Sequence, residues 1–305
     1  MIYTLTLNPA LDYALTADSL RFGEINRAAR AYFRFGGKGV NVSAMLSRLG
    51  VTSVALGFVG GFTGRKLVEL AEAAGINCDF TELSHGETRV NVKLRSDAEL
   101  DVNAPGPEIT GGDLDALCAK LSAIGEGDTL VFSGSVPPNA PPDAAKRIFD
   151  AVADNRAALA VDVCGETLAA ALGYRPFIVK PNHVELGEIF GSPADTPERI
   201  ATLAAKLREA GARNVLVSRA ENGAMLFAED GSAYSVGAVR GDLVDSACCG
   251  DASLAGFLAG YARSGDFAEA LRLAAACGNA TAFCDGIADA VSIQDIYEKL
   301  AVERL

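Results

Sequence analysis

Histidine is nearly missing from this chain: His85 and His183 are the only two among 305 residues. The seven cysteines are scattered, with no C-x-x-C and no Cys–His pairing at metal spacing. A reduced, cytosolic protein without structural zinc is the simplest account. No apolar run approaches the roughly 18 residues of a membrane span, and Met1–Leu7 reads as too short and uncharged for a signal peptide. A surplus of positive charge is also lacking. The net charge of −12 argues against a nucleic-acid or acidic-membrane partner, since either favours a basic face. An anionic substrate would therefore need a local basic pocket. With no low-complexity linker and no repeat, residues 1–305 are expected to form a single domain, and the 50% hydrophobic content allows a large core.

What is present is an alternation of strand and helix signals. Ile2–Leu7, Thr52–Phe58, Thr129–Ser133, Leu159–Val163, Phe177–Val179 and Asn214–Ser218 have strand character. Val40–Leu49, Arg65–Ala74, Asp113–Ala123, Pro142–Asn155, Glu185–Phe190 and Pro197–Ala210 carry apolar residues at helical period, several ending at Gly50, Gly75 or Gly211. The pattern predicts a mostly parallel sheet covered by helices. Two segments break it, about 11–35 and 88–103. In the second, Val90, Val92 and Leu94 alternate with Asn91, Lys93 and Arg95, so one face is wet or faces a ligand. These segments are expected to form a small separate sheet, a lid over the carboxyl edge of the main sheet.

Four motifs carry chemistry. Asp245-Ser-Ala-Cys-Cys-Gly-Asp251 runs into an apolar helix, so the free N–H groups of a helix start would face an anion while Asp251 takes a proton from a hydroxyl. An ordinary helix cap is the plainer reading of the same residues. Gly36-Gly-Lys-Gly39-Val-Asn41 brings N–H groups, a cation and an amide to another helix start, without the spacing of a P-loop. Arg89, Asn91 and Lys93 share one strand face, where two cations can hold a phosphate or simply be solvated. Lys180-Pro-Asn182-His-Val-Glu185 sets an amide and a carboxylate on a first helical turn, suited either to water-mediated Mg²⁺ or to a capping box.

Taken in this order, the motifs resemble the ribokinase/PfkB family of sugar kinases over essentially the full chain. Thr4-Leu-Thr-Leu-Asn-Pro-Ala-Leu-Asp12, the Gly36–Ser43 block, Gly86-Glu-Thr-Arg89, Asn103-Ala-Pro-Gly-Pro-Glu108 and Lys180–Glu185 are similar to its phosphosugar branch. Val90-Asn-Val-Lys93 and the Asn-x-Pro-Gly-Pro-Glu segment look most like the 1-phosphofructokinase group, with the tagatose-6-phosphate kinase group next. The resemblance implies a ribokinase-like α/β/α sandwich with a β-sheet lid that also forms a homodimer contact, MgATP as phosphoryl donor and a phosphosugar as acceptor. It implies that Asp12, Gly37 and Asn41 bind sugar hydroxyls, and that Lys38, Arg89 and Lys93 bind the phosphate already on the sugar. Asp251 would be the base, with Gly250, Cys248 and Cys249 around the transferred phosphoryl group. Lys180 and Asn182 would lie near the nucleotide phosphates, Glu185 near magnesium, and Ser218 and Gly223 near the nucleotide. For fructose 1-phosphate the reaction is phosphorylation of the 6-hydroxyl, giving fructose 1,6-bisphosphate and ADP.

The departures from the family pattern are local. Cys248-Cys249 replaces the usual Gly-Ala before Gly-Asp, so Cys248 is expected to be strained if that position needs φ > 0. Vicinal cysteines at a helix start are candidates for lowered thiol pKa and oxidation. Ser218-Arg219-Ala220 stands where Ser-Leu-Gly is usual, Asp162-Val-Cys-Gly165 replaces Asp-Thr/Ser-Ser-Gly, and Asp285-Gly-Ile-Ala288 replaces a Gly-Thr-Gly-like run. These changes keep a second reading open, a phosphosugar-binding protein with weak or lost kinase activity.

Overall fold

A computed structural model describes residues 1–97, 99–153 and 155–305. Ala98, within the expected lid segment, and Asp154, within the expected Pro142–Asn155 helix, lie outside the described residues. Strand β1 (Ile2–Thr6) leads into β2 (Ala10–Thr16) and β3 (Arg30–Gly36), and α1 (Lys38–Arg48) returns the chain to β4 (Ser53–Gly60). Helix α2 (Gly61–Ala73) and the short strands β5 (Asn77–Cys78) and β6 (Thr81–Leu83) precede β7 (Arg89–Arg95) and β8 (Glu99–Val102). The regular alternation follows: α3 (Gly111–Leu121), β9 (Thr129–Ser133), α4 (Ala144–Ala153), β10 (Ala158–Asp162), α5 (Gly165–Leu172), β11 (Ile178–Val179), α6 (His183–Phe190), α7 (Pro197–Glu209) and β12 (Asn214–Ser218). The chain ends with β13 (Ala224–Phe227), β14 (Ala233–Val236), α8 (Cys249–Ser264), α9 (Phe267–Ala282), α10 (Ala290–Lys299) and β15 (Val302–Arg304).

The main sheet has the order β15-β14-β13-β12-β11-β10-β9-β1-β4-β5, with β6 pairing beside β4. From β12 to β5 it is parallel, and β13, β14 and β15 add an antiparallel edge. Successive side chains of the central strands go to opposite faces. Phe132 and Val161 join Leu114, Phe149, Leu186 and Leu203 on one side. Val131 and Ala160 join Met45, Phe257, Leu271 and Ile296 on the other. This is a three-layer α/β/α sandwich, and each fully buried side chain such as Phe132 contributes about 1.5–3 kcal/mol of transfer free energy.

All six expected strands and all six expected helices form, with ends displaced by up to about four residues. Gly50, Gly75 and Gly211 follow their helices with φ of 70°, 80° and 135°. Helix α2 starts at Gly61 rather than Arg65, because the glycine-rich Gly57–Gly64 stretch is strand end and first helical turn, not loop. The antiparallel edge and helices α9 and α10 were not expected. Ala224–Phe227 is a four-residue apolar run, too short for periodicity to assign.

Helices α8 and α9 are drawn together by small residues, and a Cβ on Gly256 would stand 2.9 Å from the Ala274 Cα. That contact fixes the axis of α8 and hence where its N-terminus points. The lid is a second sheet, order β3-β2-β7-β8, in which β2 and β7 are parallel and the outer pairs antiparallel. Its base packs Leu11, Phe35 and Val90 onto Leu67 and Val68 of α2. No helix among the described residues is long and apolar enough to cross a membrane.

Candidate active site

A cavity of about 1520 Å³ opens at the carboxyl edge of the main sheet under the lid. All fifteen residues singled out from sequence line it: Asp12, Gly37, Lys38, Asn41, Arg89, Lys93, Lys180, Asn182, Glu185, Ser218, Gly223, Cys248, Cys249, Gly250 and Asp251. The location follows from topology. Asp162 ends β10, Lys180 follows β11, Ser218 ends β12, and α1, α6 and α8 begin there, so helix N-termini and strand ends converge.

At the start of α8 the cap is Cys248, in the left-handed conformation (φ 63°, ψ −9°), with no side-chain cap bond. The expected strain at this non-glycine position is therefore real, and the turn keeps the shape a glycine would give. The plain cap reading of Asp251 fails. Asp251 lies inside the first turn, is only 5% exposed, and one oxygen, Oδ2, accepts a hydrogen bond from Asn41 Nδ2 at 2.8 Å. Burial, reinforced by the nearby Asp162 carboxylate, pushes Asp251 from its ordinary 3.8 to about 7, against the pull of Asn41, Lys38 and Lys180. Gly250 beside it has a steric reason: an added Cβ would meet Lys180 Nζ at 2.9 Å.

Asp162 bridges two cations. Its Oδ2 lies 3.3 Å from Lys38 Nζ and its Oδ1 lies 3.4 Å from Lys180 Nζ. Burial opposes the charge on Lys38, but Asp162, Asp251 and Glu185 outweigh it and hold the ammonium above its usual pKa. Lys38 opens α1 behind the cap Gly37, whose φ of 120° a side chain rarely adopts. On the lid, β2 and β7 pair Asp12 with Asn91, and Asn91 Nδ2 donates to Asp12 Oδ1 at 2.9 Å. Burial raises the Asp12 pKa, while Asn91, Lys93, Arg34 and Arg89 draw it back. The strand face predicted from alternation is the cavity face, with Arg89, Asn91 and Lys93 all on it. Arg89 is braced by the Asn8 and Ala104 carbonyls at 3.2 Å, and Lys93 Nζ by Asp101 at 2.8 Å.

Asn182 and Glu185 form a capping box at α6, each bond 2.8 Å, so the capping reading of this pair is correct while both residues also face the cavity. Ser218 bridges to Asn182 at the strand ends, and Gly223 (φ 83°) is pressed against the Val236 carbonyl. Ala220, the second departure from a usual glycine, also has positive φ, at 48°. The expectation of activated thiols fails: burial pushes the Cys248 thiol far up and Cys249 up to about 12. The seven cysteines are free.

Sequence reading missed Asp162 and Asn91 as site residues, although one ends a strand and the other sits on the alternating face. It also gave no role to Asp245 and Asp285, although both lie in segments singled out above, or to Tyr32 and Arg34, because the contacts among the four cross more than 200 residues of chain.

Residues 6–293 match the pfkB family carbohydrate kinase family. The chain is 39% identical over 305 residues to a 1-phosphofructokinase of Bacillus subtilis, covering 100% of both. It is 35% identical over 306 residues to a D-tagatose-1-phosphate kinase of Bacillus licheniformis, again covering 100% of both. Its structure is similar to that of Escherichia coli phosphofructokinase-2 in complex with fructose-6-phosphate, with a TM-score of 0.91, 26% identity and 98% of each chain covered. Fold, cavity and full-length similarity agree, and the chain belongs to the pfkB family of carbohydrate kinases.

Proposed function

We propose that the protein is an ATP-dependent phosphosugar kinase that phosphorylates D-fructose 1-phosphate at its 6-hydroxyl, giving fructose 1,6-bisphosphate and ADP. The observation that carries this reading is Asp251: a buried carboxylate tuned near neutrality, at a helix start, in the same cavity as a cationic lid face. Two relatives named for sugars phosphorylated at carbon 1 support a 1-phosphate substrate.

Asp12, Gly37 and Asn41 hold sugar hydroxyls, and Lys38, Arg89 and Lys93 hold the substrate phosphate. Asp251 accepts the hydroxyl proton as that oxygen bonds to the terminal phosphorus of ATP and the bond to ADP breaks. The N–H groups of Cys249 and Gly250, unpaired by helix geometry, face the charge on the transferred group, and Lys180 stands behind them. When bound, MgATP supplies the phosphoryl group. The residues suit a magnesium ion that arrives with its nucleotide. Among the described residues no cluster of three or more His, Cys, Asp or Glu is placed to hold a metal, whereas Asn182 and Glu185 offer one amide and one carboxylate, and magnesium takes few protein ligands beside phosphates and water. Ser218 and Gly223 flank the nucleotide. The left-handed turn at Cys248 keeps these N–H groups aimed as a glycine would, which favours an active kinase over a binding protein.

We read the chain as one catalytic unit acting as a homodimer through the outer face of the lid. There Tyr13 and Phe33 stack at 4.6 Å and Leu100 and Val102 are exposed. Dependence on ATP and seven free thiols suit the cytoplasm. ADP release measured with fructose 1-phosphate, tagatose 1-phosphate, fructose 6-phosphate and tagatose 6-phosphate tests the assignment. Fructose 1-phosphate should give the highest kcat/KM. Preference for a 6-phosphate would refute the substrate, and binding without ADP release would refute the kinase.

A further inference from the structure

Arg34, on β3 of the lid, shares its guanidinium among three carboxylates: Asp12, opposite it on β2, and Asp245 and Asp285, both more than 200 residues away. Nη1 donates to Asp285 Oδ1 at 3.1 Å, Nε lies 3.9 Å from Asp12 Oδ2, and Nη2 lies 3.9 Å from Asp245 Oδ2. Tyr32, on the same strand face, donates through its hydroxyl to the other oxygen of Asp285 at 2.7 Å. The Arg34 side chain is 22% exposed, against 58% for Asp285, 15% for Asp245 and 11% for Asp12, so Asp285 is the outer anchor and the other two contacts point inward.

The inward contacts join the two ends of the site. Asp12 stands at the sugar end. Asp245 Oδ1 accepts the Ala247 N–H at 2.8 Å, and the Asp245 carbonyl accepts the Cys249 thiol at 3.7 Å. Asp245 thus shapes the turn that delivers Cys248 and Gly250. Without the guanidinium, three carboxylates would repel one another across the mouth of the cavity. A lysine would not reproduce it, because its three donors sit on one nitrogen, whereas the three contacts are made by separate nitrogens of the wider planar fork.

We propose that Arg34 is a positioning residue that ties the sugar-facing lid strands, where it stands opposite Asp12, to the shape of the anion-hole turn, through Asp245, with Asp285 and Tyr32 anchoring it. The proposal rests on the assignment of Asp12 and the Cys248–Asp251 turn to the kinase reaction. Its consequence is that the turn is held in register only while the lid strand is in place.

The test combines kinetics with amide hydrogen exchange on the full-length, unliganded protein. Arg34→Gln should lower kcat about tenfold and raise KM for the phosphosugar about tenfold, each tenfold being about 1.4 kcal/mol, with KM for ATP changed less than about twofold. Arg34→Lys should recover the sugar KM more than kcat, and Asp245→Asn should lower kcat with little change in the sugar KM. In Arg34→Gln the hydrogen-bonded amides of the turn, Ala247 to Asp245 and Ala252 to the Cys248 carbonyl, should exchange about tenfold faster, while those of Ala274–Ala276 in α9 stay as they are. Unchanged exchange at the turn overturns the proposal. So does a loss of rate that follows loss of folded protein and moves neither KM. If the wild-type protein releases no ADP with any phosphosugar, the kinase reading falls, and the exchange result still decides whether Arg34 holds the turn.

Discussion

Replacing Asp251 by asparagine removes the proposed base and, by the same stroke, a buried charge that the fold does not favour. General-base catalysis contributes roughly 10²–10⁴ in rate, so kcat should fall by about that factor. Stability should move the other way. Burial raises the Asp251 pKa from 3.8 in the unfolded chain to about 7 in the fold, so the native state binds a proton more tightly than the unfolded state. Ionising the group therefore costs stability, and the cost grows as pH rises from 3.8 to 7 and is complete above it. At about 1.36 kcal/mol per pH unit the ceiling is about 4 kcal/mol. Asp251→Asn should thus melt several degrees above wild type at pH 8, and the gain should vanish toward pH 4, where both proteins carry a neutral side chain. In activity, wild-type kcat/KM should fall about tenfold per unit below pH 7. A sugar phosphate itself titrates near pH 6, so the melting series, which has no substrate, isolates Asp251. An identical gain at pH 4 and pH 8, or retained turnover, would refute the reasoning.

Other perturbations follow from single contacts. Asn41→Leu removes the hydrogen bond that lowers the Asp251 pKa, so the acid limb of kcat/KM should move to higher pH; a limb that stays put or moves down contradicts the assignment. Gly250→Ala brings a Cβ to 2.9 Å from Lys180 Nζ, the end of a side chain that can shift, so stability should change by less than about 1 kcal/mol while the displaced ammonium lowers turnover, read by urea unfolding and ADP release. Ala220→Gly relieves a positive φ of 48° at an exposed residue and should raise stability by about 0.5–1 kcal/mol, measured in the same urea titration. With the Cys249 pKa near 12 and Cys248 higher still, thiolate is scarce at neutral pH, and kinase activity should survive treatment with iodoacetamide or dilute peroxide; rapid inactivation would show a reactive thiol.

Much of this fold was legible because its signals are short in range. The Thr129–Ser133 strand and the α1 and α7 helices are marked by apolar period and by a glycine stop, features that span a dozen residues. The alternation Arg89-Val-Asn91-Val-Lys93 placed the cavity face of β7 correctly because a strand has only two faces. Strand β13 and helix α9 were not anticipated, the former because four apolar residues suit a helix or a strand equally. The Asn182–Glu185 pair shows the reverse limit: its local meaning, a capping box, was readable, but its position beside Ser218 and the cavity was not.

By itself, then, the sequence determined the layered α/β architecture, the lid, and which residue types meet an anion, since periodicity, turn chemistry and motif order reside in neighbouring residues. Tertiary structure decided how those residues act on one another. Asn41 reaches Asp251 across 210 positions and Arg34 reaches Asp285 across 251. The pKa of Asp251, the bridge of Asp162 between two lysines and the sharing of Arg34 among three carboxylates exist only once burial removes water and packing sets the distances. Electrostatic energy depends on those distances and on the local dielectric, and neither is written in any short stretch of chain.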